Sequence, residues 1–214
     1  MDIFEAIKNR RSIRSFQEKA VPGELLRKII GAAQWAPSAS NRQEWKFIVI
    51  DNADVKEKII KETTAYFVAK TPLLILILYN NRTHNMEYKD HLLSAAMAIQ
   101  NMQLVIHSLG LGSCCVNNLP PKYKLRKILS IPGCFDPVSL LCVGYAKKVP
   151  KPLPRKNSVK DIISFNKFEF NCIYPIVDFS SILRRGARFL YYRIPLPIRV
   201  RLSKMARKYE KRFD

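Results

Sequence analysis

The chain reads as an α+β sandwich, and three observations carry that expectation. Leu73 to Tyr79 is an apolar run without alternation, the pattern of a strand covered on both faces. Asp90 to Leu109 is a long helical stretch rich in Ala, Leu and Met, whose small residues suit close packing against another helix, as at a subunit interface. Around these two, shorter strand and helix patterns follow in the order βαβ(α)β, with helices leading and intervening.

Taken in order, residues 2–10 form a short helix with Ile3, Ala6 and Ile7 on one face. A second helix starts at Val21-Pro22-Gly23-Glu24, with proline near its first turn. It carries Leu25, Leu26, Ile29, Ile30 and Ala33 at helical spacing and stops at Pro37. Trp45 to Ile50 is β-rich and closes on Asp51-Asn52, so a strand follows the Pro37 loop directly. Residues 54–69 read as an amphipathic helix, and Gly110 caps the long helix of 90–109. Cys114–Asn117 and Ser139–Tyr145 supply two further strands on either side of a short helix, Pro121–Leu129. Lys148 to Lys156, with three prolines, is an extended linker.

At 214 residues, 48% of them hydrophobic and 25% charged, the chain can bury one full core. The first 20 residues are charged throughout and lack the apolar segment of a secretory signal, and no run approaches the roughly 20 residues of a spanning helix. The five cysteines lack C-x-x-C spacing and read as reduced thiols, and His84, His91 and His107 are not spaced as metal ligands. No metal is expected, and the cytoplasm is the expected compartment. The net charge of +20 is the anomaly, because so positive a field favours phosphorylated ligands, anionic membranes or nucleic acid.

Four segments carry chemistry. In Arg10-Arg11-Ser12-Ile13-Arg14, guanidinium groups and a hydroxyl suit a phosphate monoester, and Arg10 and Arg14 share a face if the first helix continues. The alternative is a solvated basic patch. In Ala36-Pro37-Ser38-Ala39-Ser40-Asn41-Arg42-Gln43, small residues let the backbone approach a flat ligand, while Asn41 and Gln43 offer donors and acceptors to a polar ring. The alternative is a polar helix–strand connection. Gly110 to Asn118 could pass backbone amides along a ring that becomes anionic on reduction, or could be only a helix cap entering a strand. Pro154-Arg155-Lys156 could bring two more cations to a phosphate, or be a linker with incidental charge.

With these segments in this order, the chain resembles the nitroreductase family over residues 2–165. The resemblance runs through RRSIRSF (10–16), APSASNRQEWKFIVI (36–50), AMAIQNMQLVIHSLGLG (96–112), LLCVGYA (140–146) and PRK (154–156). It implies a three-layer α/β/α sandwich with a central, mostly antiparallel sheet, assembled as a domain-swapped homodimer. It implies flavin mononucleotide (FMN) as cofactor, NAD(P)H as co-substrate and a small organic electron acceptor, such as a nitroaromatic or a quinone, in a ping-pong cycle. Position by position, Arg10, Arg11, Ser12 and Arg14 would bind the FMN phosphate and ribityl chain, joined by Arg155 and Lys156. Pro37, Ser38 and Ala39 would pack on the flavin from the neighbouring subunit, with Asn41 and Gln43 in the same loop. Asn117 and Asn118 match the stretch whose backbone faces flavin N5. No side chain is expected as catalytic acid or base; Tyr66 and Phe67 are candidates for the substrate side.

Two departures stand out. The family's Gln-Pro-Trp is here Gln43-Glu44-Trp45, which puts an acid at the mouth of the site, and the long insertion with which larger relatives cover the flavin is lacking. The resemblance also stops short of the tail. Residues 1–165 form the expected FMN domain, and 166–214 a basic extension with 12 Lys/Arg against 4 Asp/Glu. Asn171–Phe179 could add a strand or an arm across the partner, and a helix from Pro197 to Phe213 would gather Leu202, Met205, Ala206, Tyr209 and Phe213 on one side. From residue 181 on, three readings stay open: a dimer arm, a basic amphipathic segment on an anionic membrane surface, and nucleic-acid binding, for which no reader motif is present. The peripheral inner face of a membrane is then the alternative location. A flavin-binding or membrane- or nucleic-acid-associated protein, whose tail carries the main role, is the alternative function.

Overall fold

The computed structural model describes residues 2–63, 65–83, 85–170, 179–195, 197–199 and 201–202. These fall into two compact units, one ending at Pro150 and the other from Lys151 on. The first unit contains a four-stranded sheet built from β1 (Trp45–Ile50), β2 (Leu73–Asn80), β3 (Gly112–Val116) and β4 (Phe135–Gly144) in the order β1-β2-β4-β3. All three strand pairings are antiparallel. The helices are α1 (Ile3–Asn9), α2 (Gly23–Gln34), α3 (Ala53–Ile60), α4 (Asp90–Ser108) and α5 (Lys122–Leu129).

The alternation of β2 divides the core into two layers. Leu74, Leu76 and Leu78 face one way, onto Ile59 of α3 and Leu125 of α5. Leu73, Ile75, Ile77 and Tyr79 face the other, onto Ile29 and Ala33 of α2 and Ala95, Ala98, Met102 and Ile106 of α4. A strand side-chain period of two with both faces covered produces the continuous apolar run seen in the sequence. The α/β/α sandwich is thus as expected. Ala95 and Ala98 are fully buried within the chain, on the side of α4 that meets α2 and the sheet, while Leu93 and Met97 on its outer side are exposed. Gly110 takes the left-handed φ of +74° just after α4, and the Leu111 amide returns to the Ile106 carbonyl at 3.0 Å.

Several boundaries differ from the sequence reading, among them that of β3, which runs Gly112–Val116 rather than 114–117. The helix expected over 54–69 ends at Ile60: the Thr63 hydroxyl donates to the Asn118 carbonyl at 2.7 Å and accepts from the Ala65 amide at 3.2 Å. These side-chain bonds compete with helix continuation, and a 3-10 turn over Tyr66–Lys70 follows. β4 starts at Phe135 rather than Ser139; a register shift between Ile77 and Leu78, which pair with Ser139 and Pro137, leaves Val138 as the extra residue of a bulge that accommodates the proline. In the second unit, an unexpected helix α6 spans Phe179–Tyr191. Of the helix expected over 197–213, residues 197–199 and 201–202 are helical and the rest lies outside the described residues; of the strand or arm expected over 171–179, residues 171–178 lie outside them and Phe179 opens α6.

Candidate functional site

The N-terminal segment reaches the sheet through a pair of glycines. Gly112 and Gly144 face each other across β3 and β4. A Cβ on Gly112 would stand 2.6 Å from Ile13 Cγ1, and one on Gly144 would stand 3.0 Å from Phe16 Cδ1 and 2.7 Å from Pro72 Cγ. The missing side chains therefore make room for buried Ile13 and Phe16. Backbone bonds fix the segment there: Ile13 N–H to the Ser113 carbonyl, Gln17 N–H to Tyr145 and Lys147 N–H to Ser15, each at 2.9 Å.

This docking changes the geometry of the basic cluster. The first helix does not continue: Arg10 has left helical conformation at ψ 133°, so Arg10 and Arg14 do not share a helical face. The chain extends instead to bridge Ser12 with Ser113. Arg10 and Arg11 line a cavity of about 170 Å³ with Asn9, His107, Gly112 and Ser113. Ser12 and Arg14 line a second one of about 120 Å³ with Lys148. Arg14 also borders a wider cleft of about 850 Å³ with Phe67, Lys70 and Lys147, its guanidinium 6.0 Å from the Phe67 ring centroid. The structure describes no side-chain surroundings for Tyr66.

The Ser113 hydroxyl oxygen is buried with no hydrogen-bond partner among the described residues. An orphaned hydroxyl beside two guanidinium groups is a donor set suited to an oxyanion. His107, noted in the sequence only as not spaced for a metal, is part of this cavity; its place one turn before Gly110-Leu111-Gly112 is the signal the sequence carries. Burial, then the charges of Arg10 and Arg11, hold its imidazole below the ordinary value of about 6.5. In the window between the lowered value and about 6.5 the unfolded chain binds more protons, so stability should rise with pH across it and level off above. Urea titrations of the native protein and a His107→Gln variant check this: the variant should lose that slope. Inorganic phosphate should move the His107 imidazole titration, followed by NMR, back up.

The Pro37–Gln43 loop is held in a costly backbone conformation. Ser40, Asn41 and Gln43 have φ of 50°, 55° and 52°, a region disfavoured for residues bearing a Cβ. Hydrogen bonds hold it: Gln43 N–H to Ser38 Oγ and Ala39 N–H to Ser94 Oγ, both at 3.1 Å, with Ser94 Oγ donating to the Asp90 carbonyl at 2.8 Å. Gln43 Nε2 donates to Asn41 Oδ1 at 2.6 Å. The remaining Asn41 amide donor and Gln43 carbonyl acceptor are exposed together, a pair that fits a ring edge carrying both N–H and C=O. Glu44 is not a free acid: its carboxylate pairs with Arg42 at 2.5 Å and accepts from Asn80 Nδ2 at 3.3 Å.

Within one chain these two clusters lie at opposite ends of the sheet. The loop enters β1 at Trp45, beside Tyr79, and neighbouring Asn80 pairs with Phe135 at the start of β4. The basic segment lies at the other end of β4, where Gly144 pairs with Gly112 and Phe16 bridges Ala146. The ten residues of β4 separate them by about 30 Å. Asn117 and Asn118, both exposed, follow β3 beyond Val116, and the Asn118 carbonyl accepts from Thr63. Arg155 and Lys156 are exposed in the second unit. Among the described residues, no three His, Cys, Asp or Glu side chains group to hold a metal ion.

The site thus consists of a helix-covered antiparallel sheet with a basic pocket at one end and a strained Ser/Asn/Gln loop at the other. The nitroreductase family model matches residues 7–65 and 59–145, and the chain belongs to that family. It is 36% identical over 155 residues to a Methanothermobacter thermautotrophicus protein named as an NADH dehydrogenase/NAD(P)H nitroreductase, covering 70% of this chain and 80% of that one. It is 26% identical over 170 residues to an FMN reductase (NADPH) of Bacillus subtilis, covering 71% and 68% of the two chains. Among solved structures, an FMN-dependent nitroreductase from Clostridium difficile R20291 matches with a TM-score of 0.66 and 28% identity, over 77% of this chain and 99% of that one.

Proposed function

We propose that this chain is an FMN-dependent oxidoreductase that passes electrons from NAD(P)H to a small organic acceptor, of the nitroaromatic or quinone class, from a site shared between two subunits. The observation that carries the reading is the separation of two complementary half-sites at opposite ends of one sheet. The ribityl chain of FMN joins phosphate and ring through only five carbons, far short of that span, so each site takes its halves from different copies. Further support comes from the outer face of the molecule: Leu93 and Met97 of α4, Ile3, Phe4 and Ile7 of α1, and Trp35 are exposed, the kind of apolar surface a homodimer buries.

In this reading, residues 1–165 form the catalytic domain. Arg10, Arg11, Ser12 and Arg14, with Arg155 and Lys156 from the following segment, hold the phosphate and ribityl end. Pro37, Ser38 and Ala39 of the other copy pack on the ring, while Asn41 and Gln43 offer their free donor and acceptor to its pyrimidine edge. Backbone around Asn117 and Asn118 faces the reactive side. Bound FMN supplies reversible hydride exchange at N5, and the two substrates use the same face in turn. Positioning and fixed donors are then the protein's contribution, without a side-chain acid or base. The Arg42–Glu44 pair keeps the carboxylate that replaces the family's proline from facing the ring as a free anion.

The test is the absorption spectrum of the purified protein, before and after adding FMN. The native chain should carry or take up one flavin per subunit and oxidise NAD(P)H. An Arg14→Ala variant should bind FMN at least about tenfold more weakly, since a charge-assisted contact contributes about 1.5–3 kcal/mol. A native chain that takes up no FMN sinks the reading.

A further inference from the structure

We propose that α6 is a membrane-surface helix that docks this protein on anionic lipid bilayers. The inference stands apart from the flavin site and does not rest on it. Along α6, Phe179, Ile182, Leu183, Phe189 and Leu190 are 54% to 73% exposed. Their spacing, with Gly186 between, follows one face of a helix, so five large apolar side chains form a stripe that nothing among the described residues covers. Arg185, which is exposed, falls outside that stripe by the same spacing.

The helix and the sequence that follows it carry a single sign of charge. From Phe179 to Tyr209 the sequence has nine Lys/Arg and no Asp or Glu. Just beyond α6, the Arg193 guanidinium stands 4.0 Å from the Phe189 ring centroid, which puts a cation at the edge of the apolar stripe. Arg199 fixes the chain after the helix: its Nε donates to the Ile194 carbonyl at 3.0 Å, and its guanidinium lies 5.9 Å from the Tyr191 and Tyr192 rings.

Charge selects the occupant. A second copy would bring the same positive field to this face, in a chain whose net charge is already +20, so self-association there works against repulsion. An anionic bilayer satisfies both features at once, since its acyl boundary takes the apolar stripe and its headgroups attract the arginines. The helix has 13 residues, about 20 Å, which is too short to cross a bilayer and suits one lying in its surface. No helix among the described residues is long and apolar enough to cross a membrane.

The experiment is co-sedimentation of the full chain with vesicles of phosphatidylcholine alone or with about 30 mol % phosphatidylglycerol, at low and high salt. Binding should be at least about tenfold stronger to the anionic vesicles and should weaken as salt rises. A Leu183→Asp/Leu190→Asp variant should lose at least about tenfold in partitioning while keeping its far-UV circular dichroism and flavin uptake. A Leu190→Trp variant, which leaves the stripe apolar, should gain a blue-shifted tryptophan emission on anionic vesicles that brominated lipid quenches. Three results would overturn the proposal: no binding to anionic vesicles, binding indifferent to Leu183→Asp/Leu190→Asp, or a Leu190→Trp emission that vesicles leave unchanged. Binding of a short DNA duplex without vesicle binding would assign the basic surface to nucleic acid instead.

Discussion

Mixing two disabled variants should restore activity to about one quarter of the native level. One variant, Ser12→Ala/Arg14→Ala, lacks the proposed phosphate half of the site; the other, Asn41→Ala/Gln43→Ala, lacks the proposed ring half. Each homodimer alone then has two incomplete sites. If subunits exchange at random, about half of the dimers are mixed, and twofold symmetry gives each mixed dimer one intact site and one doubly damaged site. Flavin content and NAD(P)H oxidation of the mixture, read against each variant alone, measure the recovery. A mixture no more active than its parts would mean that both halves are drawn from the same copy. That outcome conflicts with the roughly 30 Å of β4 between them.

Substituting Gly112 by alanine should cost about 1–3 kcal/mol of stability and at least about tenfold in FMN affinity together, because overpacking strains a fixed core. The added methyl would stand 2.6 Å from Ile13 Cγ1 and 2.9 Å from Ile13 Cβ, close to the branch point of a stiff side chain. Relief requires the segment from Ser12 to Phe16 to lift from the sheet. That movement carries Ser12 and Arg14 with it and breaks the Ile13–Ser113 backbone bond of 2.9 Å. Gly31→Ala provides the control of opposite sign. Nothing lies within 4 Å of that position in α2, and replacing a helical glycine by alanine should stabilise by about 0.5–1 kcal/mol. Urea denaturation read beside flavin titration separates the two effects. A Gly112→Ala protein as stable and as flavin-competent as the native one would show that the segment can shift without harm.

The elements most legible in the sequence are those set by short-range patterning. β1 begins and ends where its β-rich run does, and β2, α4 and α5 differ from expectation by no more than a residue at either end. Two of the misses share a cause. The end of α3 depends on Thr63 finding the Asn118 carbonyl far along the chain, and the start of β4 depends on a bulge that exists only against β2. α6 was obscured by mixed signals, since its apolar stripe is interrupted by Gly186 and lies in a run of uniform charge. Patterning cannot report a contact between residues distant in sequence, and each of the first two boundaries is such a contact.

The chemistry of the candidate site was similarly readable as residue types but not as an arrangement. Guanidinium groups, hydroxyls and amides identify what kinds of ligand atoms they suit wherever the chain puts them. His107 and Ser113 entered the site only because α4 and β3 bring them beside Arg10 and Arg11, and Glu44 is neutralised there by pairing with Arg42. By itself, then, the sequence determined the sandwich, the family and the chemical character of both candidate clusters, because periodicity and side-chain chemistry are local properties. Only the tertiary structure decided that the basic segment and the Ser/Asn/Gln loop stand at opposite ends of one sheet and that the glycine pair seats the basic segment. Strand pairing and register join residues far apart in the chain, and a linear pattern does not encode the distance between them.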